Sequence, residues 1–238
     1  MTGSLGKGTP LKALLKLVLT PAARRALRGT LSSRRVDRAM RATWHSYDQL
    51  VRSIPPESTW GGRLMVQLAA CAIGLYRALL QMNVPHEDAV RLVSRAAWLV
   101  YEKMAVMPRV LAALVAHDPL QQLKVATDLF RWFPFGPPSY RMENVTGDPG
   151  VVAFDVLRCP VAEFFRREGH AELCVQTFCN LDFPLAELWG GTLDRTGTLA
   201  GGAQRCDFQW RSAIPSRTRM APATGPRFCL SSDKRYEQ

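Results

Sequence analysis

Between residues 133 and 138 the chain reads Phe-Pro-Phe-Gly-Pro-Pro. Three prolines and a glycine in six positions remove backbone donors and cannot continue a helix. This segment divides the sequence, because the hydrophobic period changes across it. Upstream, apolar residues recur at helical spacing. Leu11, Leu14, Leu15, Val18 and Leu19 mark a helix over 10–28, with Lys12, Lys16, Arg24, Arg25 and Arg28 between them. Residues 34–52 form a second basic segment. The stretch 60–82 is apolar nearly all round, which predicts a central buried helix. Pro85-His86-Glu87-Asp88 opens another, running to about Lys103. Pro108 and Pro119 then punctuate two shorter helices, the second ending near Phe133.

Downstream the pattern is that of strands. Residues 140–145 and 151–157 alternate, joined by the turn-forming Thr146-Gly-Asp-Pro-Gly150. A helix over 160–168 is closed by Gly169, a second covers 171–179, and a third begins near Pro184. Strands at 192–199 and 204–211 flank Ala200-Gly-Gly-Ala203. On the last strand Gln204, Cys206, Phe208 and Trp210 share one face, and Arg205, Asp207, Gln209 and Arg211 the other. The expected fold is α+β: a helical N-terminal region (1–135, with basic helices in 1–52) packed on a small antiparallel sheet with a helical insert (139–215). A basic, proline-containing tail, expected to be flexible, follows at 216–238.

Charge is uneven. The net charge is +11, yet residues 1–52 hold eleven Lys and Arg against only Asp37 and Asp48. The later half therefore has no marks of a nucleic-acid surface. The basic helices can touch anionic lipid or an acidic partner, or simply form a solvated face. No uncharged apolar run reaches the ~18 residues of a membrane span. Lys12 and Lys16 interrupt the only early apolar stretch, so no secretory leader is expected and the chain is placed in a reducing cytoplasm. The six cysteines there are buried thiols, nucleophiles or metal ligands rather than disulfides.

Cys159 ends a strand and directly precedes Pro160. With Pro160 as the first helical residue, Cys159 is the N-cap, at the positive end of a helix dipole, where a thiolate is favoured. Cys179 is followed by Asp182, and Cys206 by Asp207, each pairing a thiol with a carboxylate able to move protons. The alternatives are a small hydrophobe in a core strand for Cys206 and a helix cap for Asp182. His170 is either a general base or a structural residue at a helix exit. Cys159, Cys174, Cys179, Cys206 and His170 are numerous enough for tetrahedral zinc, although no Cys-x-x-Cys pair occurs. Nucleotide-binding loops, the serine-hydrolase elbow and the zinc-protease motif are all missing.

Taken in order, Phe154-Asp-Val-Leu-Arg-Cys-Pro160, Gly169, Cys179-Asn-Leu-Asp182, Arg195-Thr196 and Gly202-Ala-Gln-Arg-Cys-Asp-Phe208 resemble the L-2-amino-thiazoline-4-carboxylic acid hydrolase family. The likeness covers roughly 139–211 and leaves the basic helices outside it. It implies hydrolytic opening of a C–N bond in a cyclic amidine, at a carbon flanked by nitrogen and sulfur, giving a carbamoyl-cysteine. On that expectation the enzyme acts on a small molecule without a cofactor. Cys159 is the nucleophile, with Cys179 and Cys206 as substitutes. Asp182 or Asp207 handles protons or binds the substrate amine, Arg195 pairs with a substrate carboxylate, and His170 is a further candidate for substrate contact. The competing expectation is a non-enzymatic module that binds zinc or a small ligand through its cysteines. Neither reading sets the oligomeric state.

Overall fold

The computed structural model describes residues 10–213, so Cys229 and the tail at 216–238 lie outside the described residues. Five helices precede the sheet: α1 (Pro10–Leu27), α2 (Ser33–Leu50), α3 (Trp60–Gln81), α4 (His86–Val115) and α5 (Pro119–Trp132). α3 is the core element, packed against α2, α4 and α6 (Pro160–Arg167). By length and composition it could cross a membrane, but most of it is buried within the fold. Its start explains what the proline-rich segment does. Thr59 caps α3 by accepting the Gly62 N–H at 2.9 Å. The buried Ser139 hydroxyl receives both the Thr59 N–H, at 3.1 Å, and the Thr59 hydroxyl, at 2.9 Å. Gly61 and Gly62 permit this approach: a Cβ on Gly61 would stand 2.2 Å from the Pro134 carbonyl oxygen. The helix breaker is also the clasp on the central helix.

The expected stop near Lys103, with Pro108 marking a separate shorter helix, is not found. α4 runs unbroken through Pro108. An interior proline loses one helical hydrogen bond and costs ~3 kcal/mol. Here Ala105, Pro108 and Ala112 all lie on the buried face of a 30-residue helix, whose packing outweighs that loss. Pro119 does begin a helix, at the first position of α5, where Asp118 accepts the Gln121 N–H at 2.9 Å.

The sheet contains β1 (Arg141–Asn144), β2 (Val151–Arg158), β3 (Gly191–Asp194) and β4 (Cys206–Ser212), all antiparallel in the order β1-β2-β4-β3. Between β2 and β3 runs the helical insert: α6, then α7 (Ala171–Thr177), a 3-10 turn over Cys179–Leu181, and α8 (Asp182–Leu188). The α+β expectation holds. Register sets Phe154 opposite Phe208 and Val156 opposite Cys206, so β2 and β4 present one apolar face inward. α5 packs on this pair of strands.

The second hairpin departs from the expected 192–199 and 204–211 strands. Residues 195–205 leave the sheet as a long loop. Asp207, on the outer face of β4, accepts the backbone N–H groups of Thr196 at 3.0 Å and Gly197 at 2.8 Å. These bonds fold the loop back on the strand and turn Arg195 into the interior, where its side chain is 3% exposed.

Candidate active site

A cavity of about 110 Å³ lies between the inner face of the sheet and α4, α5 and the α6–α8 insert. Its walls come from both sides of the proline-rich segment, from Met65 on α3 to Trp210 on β4. Most of the lining is aromatic or aliphatic. Phe154 stacks on Phe208 with ring centres 5.1 Å apart, and Phe208 on Trp210 at 6.0 Å. Into this apolar chamber come four thiols, Cys159, Cys174, Cys179 and Cys206, together with Asp182 and Arg195. The five cysteines among the described residues are free.

Cys159 is the N-cap of α6, and its Sγ accepts the Ala162 N–H at 3.5 Å. The thiolate expected there is not favoured. Burial pushes the Cys159 thiol up, and the backbone N–H groups at the helix start offset only part of that. The helix has two turns, and the sulfur sits beside hydrocarbon and other thiols. Cys206 behaves likewise: burial pushes it up to about 12, although it accepts the Leu199 N–H at 3.2 Å.

Cys179 differs. A hydrogen bond from the Cys174 thiol lowers its pKa, with the Arg195 guanidinium and the Thr198 hydroxyl acting the same way, against burial and the nearby Asp182 carboxylate, which raise it. Cys174 is correspondingly held protonated. Of the thiols around the cavity, Cys179 is the one its neighbours draw toward the charged form.

Arg195 and Asp182 form an enclosed ion pair at 2.8 Å. Arg195 Nη2 also donates to the Cys179 carbonyl at 2.9 Å, and its guanidinium lies 5.1 and 5.2 Å from the ring centres of Phe183 and Phe208. The other Asp182 oxygen accepts the Tyr101 hydroxyl at 3.2 Å. Burial raises the Asp182 carboxyl to about 6, despite the downward pull of Arg195 and Tyr101. A carboxyl in that range can give up and regain a proton near neutral pH.

Two predicted residues are not brought to the cavity. Asp207 faces outward and clamps the 195–205 loop. Slight burial raises its pKa, but the hydrogen bonds from Thr196 and Gly197 win and hold it below its ordinary value. His170 precedes α7 on the far side of the insert, where Arg77 Nε donates to its Nε2 at 3.2 Å and Tyr76 meets its ring edge-on. Burial and Arg77 lower its pKa. Arg195 does reach the cavity, with its donors engaged by Asp182 and Cys179. Among the described residues no three His, Cys, Asp or Glu side chains are grouped to hold a metal ion, so the zinc alternative finds no ligand set here. Tyr101 and Arg131, both in the cavity wall, escaped the sequence reading. Tyr101 sits in the middle of α4 and Arg131 in the last turn of α5, and no local motif marks either.

A family model described as L-2-amino-thiazoline-4-carboxylic acid hydrolase matches residues 65–210. The chain belongs to this family. The match reaches well upstream of the 139–211 segment that carried the resemblance, taking in most of α3 and all of α4 and α5, and leaves the basic helices α1 and α2 outside. No curated protein sequence matches the chain. Among solved structures, an Fe(II) unliganded H-NOX protein from K. algicida aligns over 85% of this chain and 98% of that one, at 8% identity and a TM-score of 0.40. A point mutant of that H-NOX protein aligns over 83% and 96%, at 9% identity and 0.38. Likeness at that level carries no argument about ligand or activity.

Proposed function

We propose that this member of the L-2-amino-thiazoline-4-carboxylic acid hydrolase family opens a cyclic amidine ring by thiol attack, with Cys179 as the nucleophile in place of the expected Cys159. The observation that carries the reading is the environment of Cys179: beside the Cys174 thiol and Arg195, next to a carboxyl raised to about 6, on the wall of the aromatic-lined cavity. Cys179 Sγ adds to the C=N carbon, and the electron pair moves to the ring nitrogen, which takes a proton from Asp182. The ring C–N bond then breaks. The nitrogen leaves as the amine, holding that proton and one from the exocyclic amino group. Water, deprotonated by the Asp182 carboxylate, adds to the same carbon and expels the Cys179 thiolate. The carbamoyl group stays on the substrate sulfur, and both protein groups return to their starting state. Tyr101 and Arg195 hold Asp182 in place, and the aromatic wall excludes bulk water. A reducing cytoplasm suits this chemistry, since it keeps all of the thiols free.

The test is turnover of a panel of thiazolines and related cyclic amidines by wild type, Cys179→Ser and Cys159→Ser. Cys179→Ser is expected to be inactive and Cys159→Ser to keep most activity. Undiminished turnover by Cys179→Ser removes the proposed nucleophile, and no turnover of the panel by wild type removes the hydrolase reading.

A further inference from the structure

The cation expected to receive a substrate carboxylate, Arg195, is already committed to Asp182 and to the Cys179 carbonyl. The cavity wall holds a second guanidinium, that of Arg131 on α5. Its contact with Asp128 is long, 3.5 Å, and Asp128 is shared with Lys124 at 2.6 Å. The Arg131 guanidinium lies over the Phe154 ring, 4.4 Å from its centre. Its Nε is buried without a hydrogen-bond partner among the described residues. The same is true of Tyr140 Oη and Trp210 Nε1, on residues that are 2% and 3% exposed.

All three residues line the one cavity, and all three orphaned groups are donors. Buried donors are nearly always paired, and leaving one unpaired is costly. Three around a single chamber point to an acceptor brought by the molecule that binds there. We infer that Arg131, Tyr140 and Trp210 form the subsite for a carboxylate carried by a small, flat ring whose face lies against the Phe154–Phe208 aromatic wall. This rests on the reading of the cavity as the substrate site, but not on the thiol chemistry assigned to Cys179. A carboxylate suits the set because its two oxygens accept several hydrogen bonds at once, and those from arginine are charge-assisted.

The experiment is calorimetric titration of Cys179→Ser protein, chosen to suppress turnover, with 2-amino-thiazoline-4-carboxylate and with 2-aminothiazoline, the same ring without the carboxylate. The carboxylated ring is expected to bind about tenfold or more tightly, and adding Arg131→Gln is expected to erase that preference while leaving the affinity for the bare ring unchanged. Trp210→Phe keeps an aromatic ring at that position and is expected to cut the preference a few-fold on its own, which covers the case in which the Arg131 variant does not fold. Equal affinity for the two rings in the parent, or an intact preference in the Arg131 or Trp210 variant, overturns the subsite. Carboxylate-dependent binding in a wild type that shows no turnover keeps the subsite and removes the hydrolase reading. Binding of neither ring overturns both.

Discussion

Replacing Arg195 with Gln should destabilise the protein by an amount that grows with pH, and the growth can be calculated. In the wild type Asp182 titrates at about 6, held down from a still higher value by Arg195 and Tyr101. Without the guanidinium its native-state pKa rises further. Below pH 6 the carboxyl is protonated in both proteins, so the variant loses the hydrogen bonds to Asp182 and to the Cys179 carbonyl and the contacts with Phe183 and Phe208, but no charge pairing. Above pH 6 the wild type releases a proton in the native state and the variant does not. The stability gap between them therefore widens by ~1.4 kcal/mol per pH unit, until the variant's own carboxyl titrates. The sign follows from linkage. The native variant binds more protons than the native wild type, while the unfolded chains titrate alike at that residue. Urea denaturation of both proteins at pH 5, 6, 7 and 8 measures the gap. It should be nearly constant from 5 to 6 and then open by more than ~1 kcal/mol by pH 7 to 8. Adding Asp182→Asn to the Arg195 variant should abolish the slope. A gap that stays flat from pH 5 to 8 would refute the coupling, and with it the assignment of Asp182 as the proton-transfer group.

Other outcomes follow from the same geometry. Alkylation with iodoacetamide at neutral pH, read residue by residue by mass spectrometry, should modify Cys179 ahead of Cys159, Cys206 and Cys71; first labelling at Cys159 would return the nucleophile role to the helix cap. Gly61→Ala should lower stability by ~2 kcal/mol or more in chemical denaturation, because its Cβ would meet backbone at Pro134 rather than a movable side chain. Asp207→Ala should speed amide hydrogen exchange in residues 195–205 while leaving β2 protected, and unchanged exchange there would mean that the loop is held by other contacts.

Much of the architecture can be read from residue patterns because the causes are local. The prolines at 134, 137 and 138 stop a helix wherever they occur, the apolar circumference of α3 requires burial, and the alternation of Cys206, Phe208 and Trp210 gives β4 an inward face. The N-cap at Cys159 is legible for the same reason. What misled the reading is set by tertiary context. Pro108 breaks a helix unless neighbours reward its continuation, and those neighbours lie elsewhere in the chain. The ionisation of a thiol depends on a balance: the two-turn helix α6 is outweighed by burial at Cys159, whereas Cys179 gains Arg195 from a loop that Asp207 helps to fold into place. No spacing rule links 179, 195 and 207. Arg131 reads as an ordinary surface residue of α5 until the cavity is visible.

The span matched by the family model opens at Met65 and closes at Trp210, and among the described residues these are the first and last that wall the cavity. The side chains that wall this cavity among the described residues thus fall inside the stretch relatives share, so substrate differences among them can be sought by comparing some twenty side chains. The two basic helices ahead of that stretch lie outside it and off the cavity wall, yet their apolar faces pack on α3 and α4, so they support the site as part of the same core.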